Sequence, residues 1–307
     1  MALWSQAYQL SRSDVTISIA ATGSGAGISQ ALAGSAEIGA SDAYLSNAQA
    51  RNAMNVPLAV SAQVVAYNIQ QIGDRHLNLS GEVLAAIYSG DIAFWDDPRI
   101  KAINPELGAD LPHSSIVPIR RSDQSGDTFM FTQYLSRSSP SWKAGFGTSI
   151  AWPKASADEA VRGNNGMVDD CAKTEGSIAY IAVSYLQQIG FDGLGYAKLK
   201  ARDGAYLLPT NETMQSAVSS ATVPADARVS LIDRPGGDAY PIVSYEYAIV
   251  RPHQANSQQA EALRSFLDWA IDPAGGNDEA RFLSALNFVA LPAGTRAISK
   301  ELIDRIR

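Results

Sequence analysis

The chain has 307 residues, 46% of them hydrophobic and 18% charged, with a formal net charge of −7. This excludes a disordered or collagen-like chain, and the length favours two domains. No apolar run reaches the roughly 18 residues of a membrane span. An acidic balance without a long Lys/Arg cluster argues against nucleic-acid or anionic-membrane binding.

The elements follow in chain order. Residues 3–10 read as a helix, with Leu3, Ala7 and Leu10 on one face and Trp4 and Tyr8 beside it. Val15 to Ile19 alternates and predicts a strand. The glycine-rich turn Thr22–Gly27 follows, then a short helical spacing at Ile28, Ala31 and Leu32. Ile38–Asp42 reads as a second short strand, so the opening is α/β. Leu58–Asn68 is β-rich and long enough to pass from one domain to another. Residues 80–88 predict a helix with Ser80 as N-cap and Glu82 in the first turn. Ile116–Ile119 is a strand that runs into Arg120–Thr128, and Phe129, Phe131, Thr132 and Leu135 then lie on a helix. Ser177–Val183 is a buried strand. Residues 202–240 are rich in loop formers. Ile242–Val250 is again β-rich, and residues 257–271 form an amphipathic helix facing inward through Ala260, Leu263, Leu267 and Ala270.

Two segments carry recognisable chemistry. Ser24-Gly25-Ala26-Gly27 joins a strand to a helix, where small residues let backbone N–H groups and the helix dipole approach an anion. The plainer reading is a tight turn with Ser24 as N-cap. A Walker A loop is excluded because Ile28-Ser29 follows the last glycine, and Ile28 also breaks a dinucleotide fingerprint. Arg121-x-Asp123-x-Ser125-Gly126-Asp127-Thr128 is a second strand-to-helix junction. Arg121 offers a charged fork suited to a tetrahedral oxyanion, and Asp123 could hold that fork in place. Its plainer reading is a helix cap with a surface ion pair. Two such cradles suit two lobes that grip one small anion. Asp42 then acquires a role: a carboxylate at an anion site needs a ligand proton to accept. Protonated phosphate brings one and sulfate does not.

Thr22-Gly23-Ser24-Gly25-Ala26-Gly27, Gly39-Ala40-Ser41-Asp42 and Arg121–Phe129 resemble the ligand loops of the phosphate-binding protein of the Pst-type ABC phosphate importer. The resemblance continues in order through Tyr88–Pro98, Gly163-Asn164-Asn165-Gly166, Gly176–Tyr180 and Tyr240-Pro241-Ile242. It implies an α/β, two-lobed type II periplasmic-binding-protein fold, with mixed β-sheets flanked by helices and a two-segment hinge. Residues 1–63 and 243–307 would form the first lobe and 64–242 the second. It places phosphate contacts on Ser24, Asp42, Arg121, Ser125, Gly126 and the backbone of Asp127, with Asp123 as partner of Arg121. It also implies a non-enzymatic, extracytoplasmic and monomeric receptor without cofactor, metal or nucleic acid. The receptor would deliver inorganic phosphate to ABC permease subunits. Two departures stand out. Many members have Thr where this chain has Asp127. The family's opening strand and its Gly/Ala-Thr-Phe-Pro phosphate loop are also expected to be absent, since Trp4 falls on the helix that follows them. No signal peptide is read at the start. The competing readings are a receptor for sulfate or molybdate, and a truncated, ligand-free member.

Weaker features read as structural. Trp95 reads as a core residue before a cap, Asn164-Asn165-Gly166 as a contact to ligand or a plain turn, with the turn favoured, and His113 as solvated. Cys171, the single cysteine, follows two aspartates that would raise its pKa.

Overall fold

The computed structural model describes residues 1–155 and 158–307. The chain forms two compact units: Met1–Ser61, Ala221–Ser230 and Ser244–Arg307 make unit 1, and Ala62–Ser220 with Leu231–Val243 make unit 2. The short return of residues 221–230 to unit 1 has no counterpart in the sequence reading, which keeps 64–242 together.

The elements are α1 (Ala2–Ser11), α2 (Ser24–Ala33), β1 (Gly39–Ser41), β2 (Met54–Tyr67), β3 (Asn78–Leu79), α3 (Gly81–Tyr88) and α4 (Pro98–Ala102). Then come β4 (Val117–Arg121), α5 (Gly126–Ser138), β5 (Glu159–Val161), α6 (Gly163–Lys173), β6 (Ser177–Ala182) and α7 (Leu186–Phe191). The chain continues with β7 (Gly195–Tyr196), β8 (Lys198–Lys200), β9 (Tyr206–Leu207) and α8 (Asn211–Ser219). It ends with β10 (Val243–Val250), α9 (Ser257–Ile271) and α10 (Ala293–Ile303). No helix among the described residues is long and apolar enough to cross a membrane.

In unit 1, β1 runs antiparallel to β10, with Gly39 opposite Ile249 and Ser41 opposite Tyr247. Helix α1 buries Trp4 and Tyr8, one turn apart, and Tyr8 packs edge-on against Phe266 of α9. Leu3 and Leu10 are exposed instead, at 45% and 85%. The aromatic pair therefore outweighs the aliphatic stripe, because it removes more apolar area from water. Val15–Ile19 forms no ladder. Its Ile17 N–H donates to the Gln9 side chain instead (2.8 Å). Alternation makes a strand only where another strand lies alongside. Helix α9 buries Ala260, Leu263, Leu267 and Ala270 as its periodicity predicts, capped by Asn256, which accepts from Gln259 N–H.

Helix α2 lies very close to β1, because both surfaces are glycine at the contact. A Cβ built on Gly39 would sit 2.2 Å from the Gly27 carbonyl oxygen. We expect Gly39→Ala to lower stability by about 1–3 kcal/mol, the usual cost of overpacking. A urea midpoint equal to that of the parent would show that α2 can retreat freely.

In unit 2, β6 is the central strand. It pairs antiparallel with β2 and parallel with β4, and β4 pairs parallel with β5. Helices α5 and α6 form the crossovers β4–α5–β5 and β5–α6–β6. The carboxyl ends of these parallel strands are where open α/β sheets bind ligands. A small sheet of β3, β8 and β9 completes the unit. Strand β2 starts in unit 1 and ends in unit 2, and all fourteen of its residues are buried. Trp95 is fully buried and donates from Nε1 to the Gly176 carbonyl (2.9 Å), while Asp97 caps α4.

Candidate anion-binding site

The sequence-predicted residues fall into two groups, one in each unit. In unit 1, the cap of α2 is Gly23, with φ 84°, and Ser24 is the first helical residue. This corrects the expectation of Ser24 as N-cap. The positive φ explains the difference, since glycine alone adopts it without strain. No side chain caps α2, so the hydroxyl of Ser24 is not spent on its own helix. Ser24 Oγ instead lies 3.4 Å from both Asp42 Oδ2 and Asp42 N. Ser41 Oγ bridges Ala43 N–H (3.0 Å) and the Ala43 carbonyl (2.7 Å), fixing the bend that turns Asp42 toward Ser24. Ser244 Oγ donates to the Asp42 carbonyl (2.8 Å).

In unit 2, Arg121 ends β4 and its side chain is 5% exposed. Asp123 grips it edge-on: Nε donates to Oδ1 (2.7 Å) and Nη2 to Oδ2 (2.5 Å). The Gly163 N–H also donates to Asp123 Oδ1 (3.2 Å). Burial alone would raise the Asp123 pKa, but the hydrogen bonds from Arg121 and Gly163 hold it below the usual carboxylate range. Behind the fork, Tyr180 Oη accepts from Arg121 N–H (2.9 Å) and pairs with Thr128 Oγ1 (2.9 Å). Burial pushes the Tyr180 phenol up, so it stays protonated. Ser125 is the N-cap of α5, its Oγ accepting from Asp127 N–H (3.0 Å), so the plainer reading is right about the cap, but the ion pair beside it is buried rather than at the surface. Gly126 opens that helix.

The Asp127 carboxylate lies inside the cluster. Its Oδ2 accepts from Arg121 Nη1 (2.7 Å), Asn164 Nδ2 (3.0 Å) and Ser125 Oγ (3.3 Å), and its Oδ1 from Gln63 Nε2 (3.3 Å). A cluster of donors aimed at one oxyanion is thus already assembled. Gln63 is absent from the sequence reading, which favours a plain turn for Asn164. Asn164 lies in the first turn of α6, one residue after Gly163, rather than in a plain turn. The available signal for Gln63 was its position: a lone glutamine in the apolar run Leu58–Tyr67.

Two weaker candidates lie outside both groups. Cys171 is fully buried, and burial, more than the neighbouring aspartate, pushes its thiol up to about 12. His113 is exposed, stacked on Phe94 and 2.9 Å from Asp96. Among the described residues no group of His, Cys, Asp and Glu is arranged to hold a metal ion.

Residues 1–274 match the family model described as a PBP superfamily domain. The phosphate-binding protein PstS of Methanocaldococcus jannaschii is 33% identical, over 99% of this chain and 82% of that protein. PstS of Haemophilus influenzae is 31% identical, over 95% and 85%. The phosphate-binding protein of Stenotrophomonas maltophilia has the same fold, with a TM-score of 0.72 at 18% identity, over 92% of this chain and 86% of that one. The chain belongs to the PstS family of phosphate-binding proteins.

Proposed function

We propose that this chain is the extracytoplasmic receptor of an ABC importer, binding inorganic phosphate and passing it to the membrane permease. The observation that carries this reading is the Arg121 fork. It is buried, gripped by Asp123, and its remaining nitrogen already lies on a carboxylate oxygen at the start of α5. In unit 2, Arg121, Ser125, Gly126 and the Asp127 backbone offer donors; in unit 1, Ser24 and the start of α2 offer donors and Asp42 an acceptor. An arginine neutralised by carboxylates suits an anion recognised by directed hydrogen bonds rather than by bulk charge. The relatives and the fold support the reading, as their names concern phosphate binding. The chemistry of this reading is capture and release of the anion.

Thermal unfolding of dialysed protein tests it. Phosphate at a hundred times its dissociation constant should stabilise by about 2.7 kcal/mol, and sulfate at equal concentration should not. Stabilisation by both anions would retain a receptor and remove the selectivity. Stabilisation by neither would remove the phosphate reading.

A further inference from the structure

We propose that Gln63 and Asn164 are specificity-determining positioning residues: they clamp the Asp127 carboxylate into the donor cluster, so that only a proton-bearing anion is accepted there. This rests on the phosphate reading above.

The argument starts from charge. Arg121 contributes +1 and its two partners, Asp123 and Asp127, contribute −2. The three guanidinium nitrogens each meet a carboxylate oxygen. A fully ionised anion brought here meets a cluster of net charge −1. It can approach Asp127 only if it carries a proton to donate, as phosphate does and sulfate does not. Selection of this kind fails if the carboxylate can rotate away, and two amides prevent that. Gln63 Nε2 donates to Asp127 Oδ1 (3.3 Å) and to the Asp127 carbonyl (3.1 Å). Asn164 Nδ2 donates to the other carboxylate oxygen (3.0 Å), while its own Oδ1 accepts from Ala182 N–H (3.3 Å). Each Asp127 oxygen is therefore held by a neutral donor, and one clamp residue is itself anchored at both ends.

Gln63 shows a further sign of a specific role. It is completely buried, yet its Oε1 has no hydrogen-bond partner among the described residues. An apolar residue would avoid that cost. The amide cannot be reversed, because Oε1 would then face a carbonyl and a carboxylate. Its one satisfied end is the end on Asp127. The other titratable groups that act on Asp127 are the phenols of Tyr180 and Tyr185, both shifted upward by burial. They add no charge in the range where phosphate takes up its second proton.

The test uses the full chain and calorimetric titration with inorganic phosphate and with sulfate, across the pH range of that second protonation. The parent should bind phosphate more tightly as pH falls and should discriminate against sulfate throughout. Gln63→Leu and Asn164→Ser should each shift the sulfate-to-phosphate affinity ratio toward sulfate by about tenfold or more, the worth of a charge-assisted hydrogen bond. They should also flatten the pH dependence of phosphate binding. Thermal unfolding checks that each variant folds. Asn164 is only half-buried, so Asn164→Ser carries the test should Gln63→Leu not fold. An unchanged ratio and pH profile would overturn the proposal and leave the phosphate reading intact. An equal loss of both anions by a folded variant would overturn it too, reducing the amides to scaffold. A parent that binds neither anion would remove the phosphate reading, and the proposal with it.

Discussion

Replacing Arg121 with alanine should abolish tight phosphate binding and also destabilise the protein by about 3–5 kcal/mol, the cost of leaving buried charge uncompensated. Two carboxylates depend on this guanidinium. The Asp123 and Asp127 side chains are 14% and 8% exposed, and both would lose their cation. Arg121→Lys should be intermediate, because an ammonium keeps the charge but cannot span the two Asp123 oxygens. Urea denaturation with calorimetric phosphate titration separates the two effects. The acid dependence gives a second readout with a definite sign. Asp123 titrates below its ordinary range in the folded protein, so it contributes stability above the unfolded carboxylate pKa, and that contribution is lost as pH falls through the folded value. Arg121→Ala should remove that part of the acid loss. A variant with parental phosphate affinity would take the fork out of the binding site.

Asp42→Asn should leave phosphate binding measurable while weakening discrimination against sulfate by roughly 10- to 100-fold, the range set by one unsatisfied buried charge. Asparagine keeps the shape and can still meet Ser24 Oγ, which lies 3.4 Å from the carboxylate. It replaces an obligate acceptor with a group that can also donate, so an anion without protons is no longer repelled. Competition between the two anions, read by thermal shift or titration, checks this. Unchanged discrimination would move the whole of selectivity to the Asp127 cluster.

The features that could be read from the sequence were those set by local chemistry. Ser80, Ser125 and the 257–271 stripe each specify their structure within one or two helical turns, and all appear in the fold. Features that depend on distant partners could not be read this way. Val15–Ile19 has a strand's alternation but no ladder. Helix α8 was hidden among prolines and loop formers, although Thr210 and Thr213 form its capping box. The contacts of Gln63 and Asn164 with Asp127 span 64 and 37 residues of chain. No window of local pattern contains both partners, so only folding places the amides where they act.

Cys171 has a practical consequence. Thiol reagents need an accessible thiolate, and this sulfur is fully buried, with its pKa pushed up to about 12. A maleimide dye or spin label should therefore pass over the native protein. Any cysteine introduced at an exposed position, such as Phe191→Cys at a site 87% accessible, would be the only reactive handle on the molecule. Site-specific labelling, tethering to a surface or attachment of a distance probe would then need no removal of a native residue.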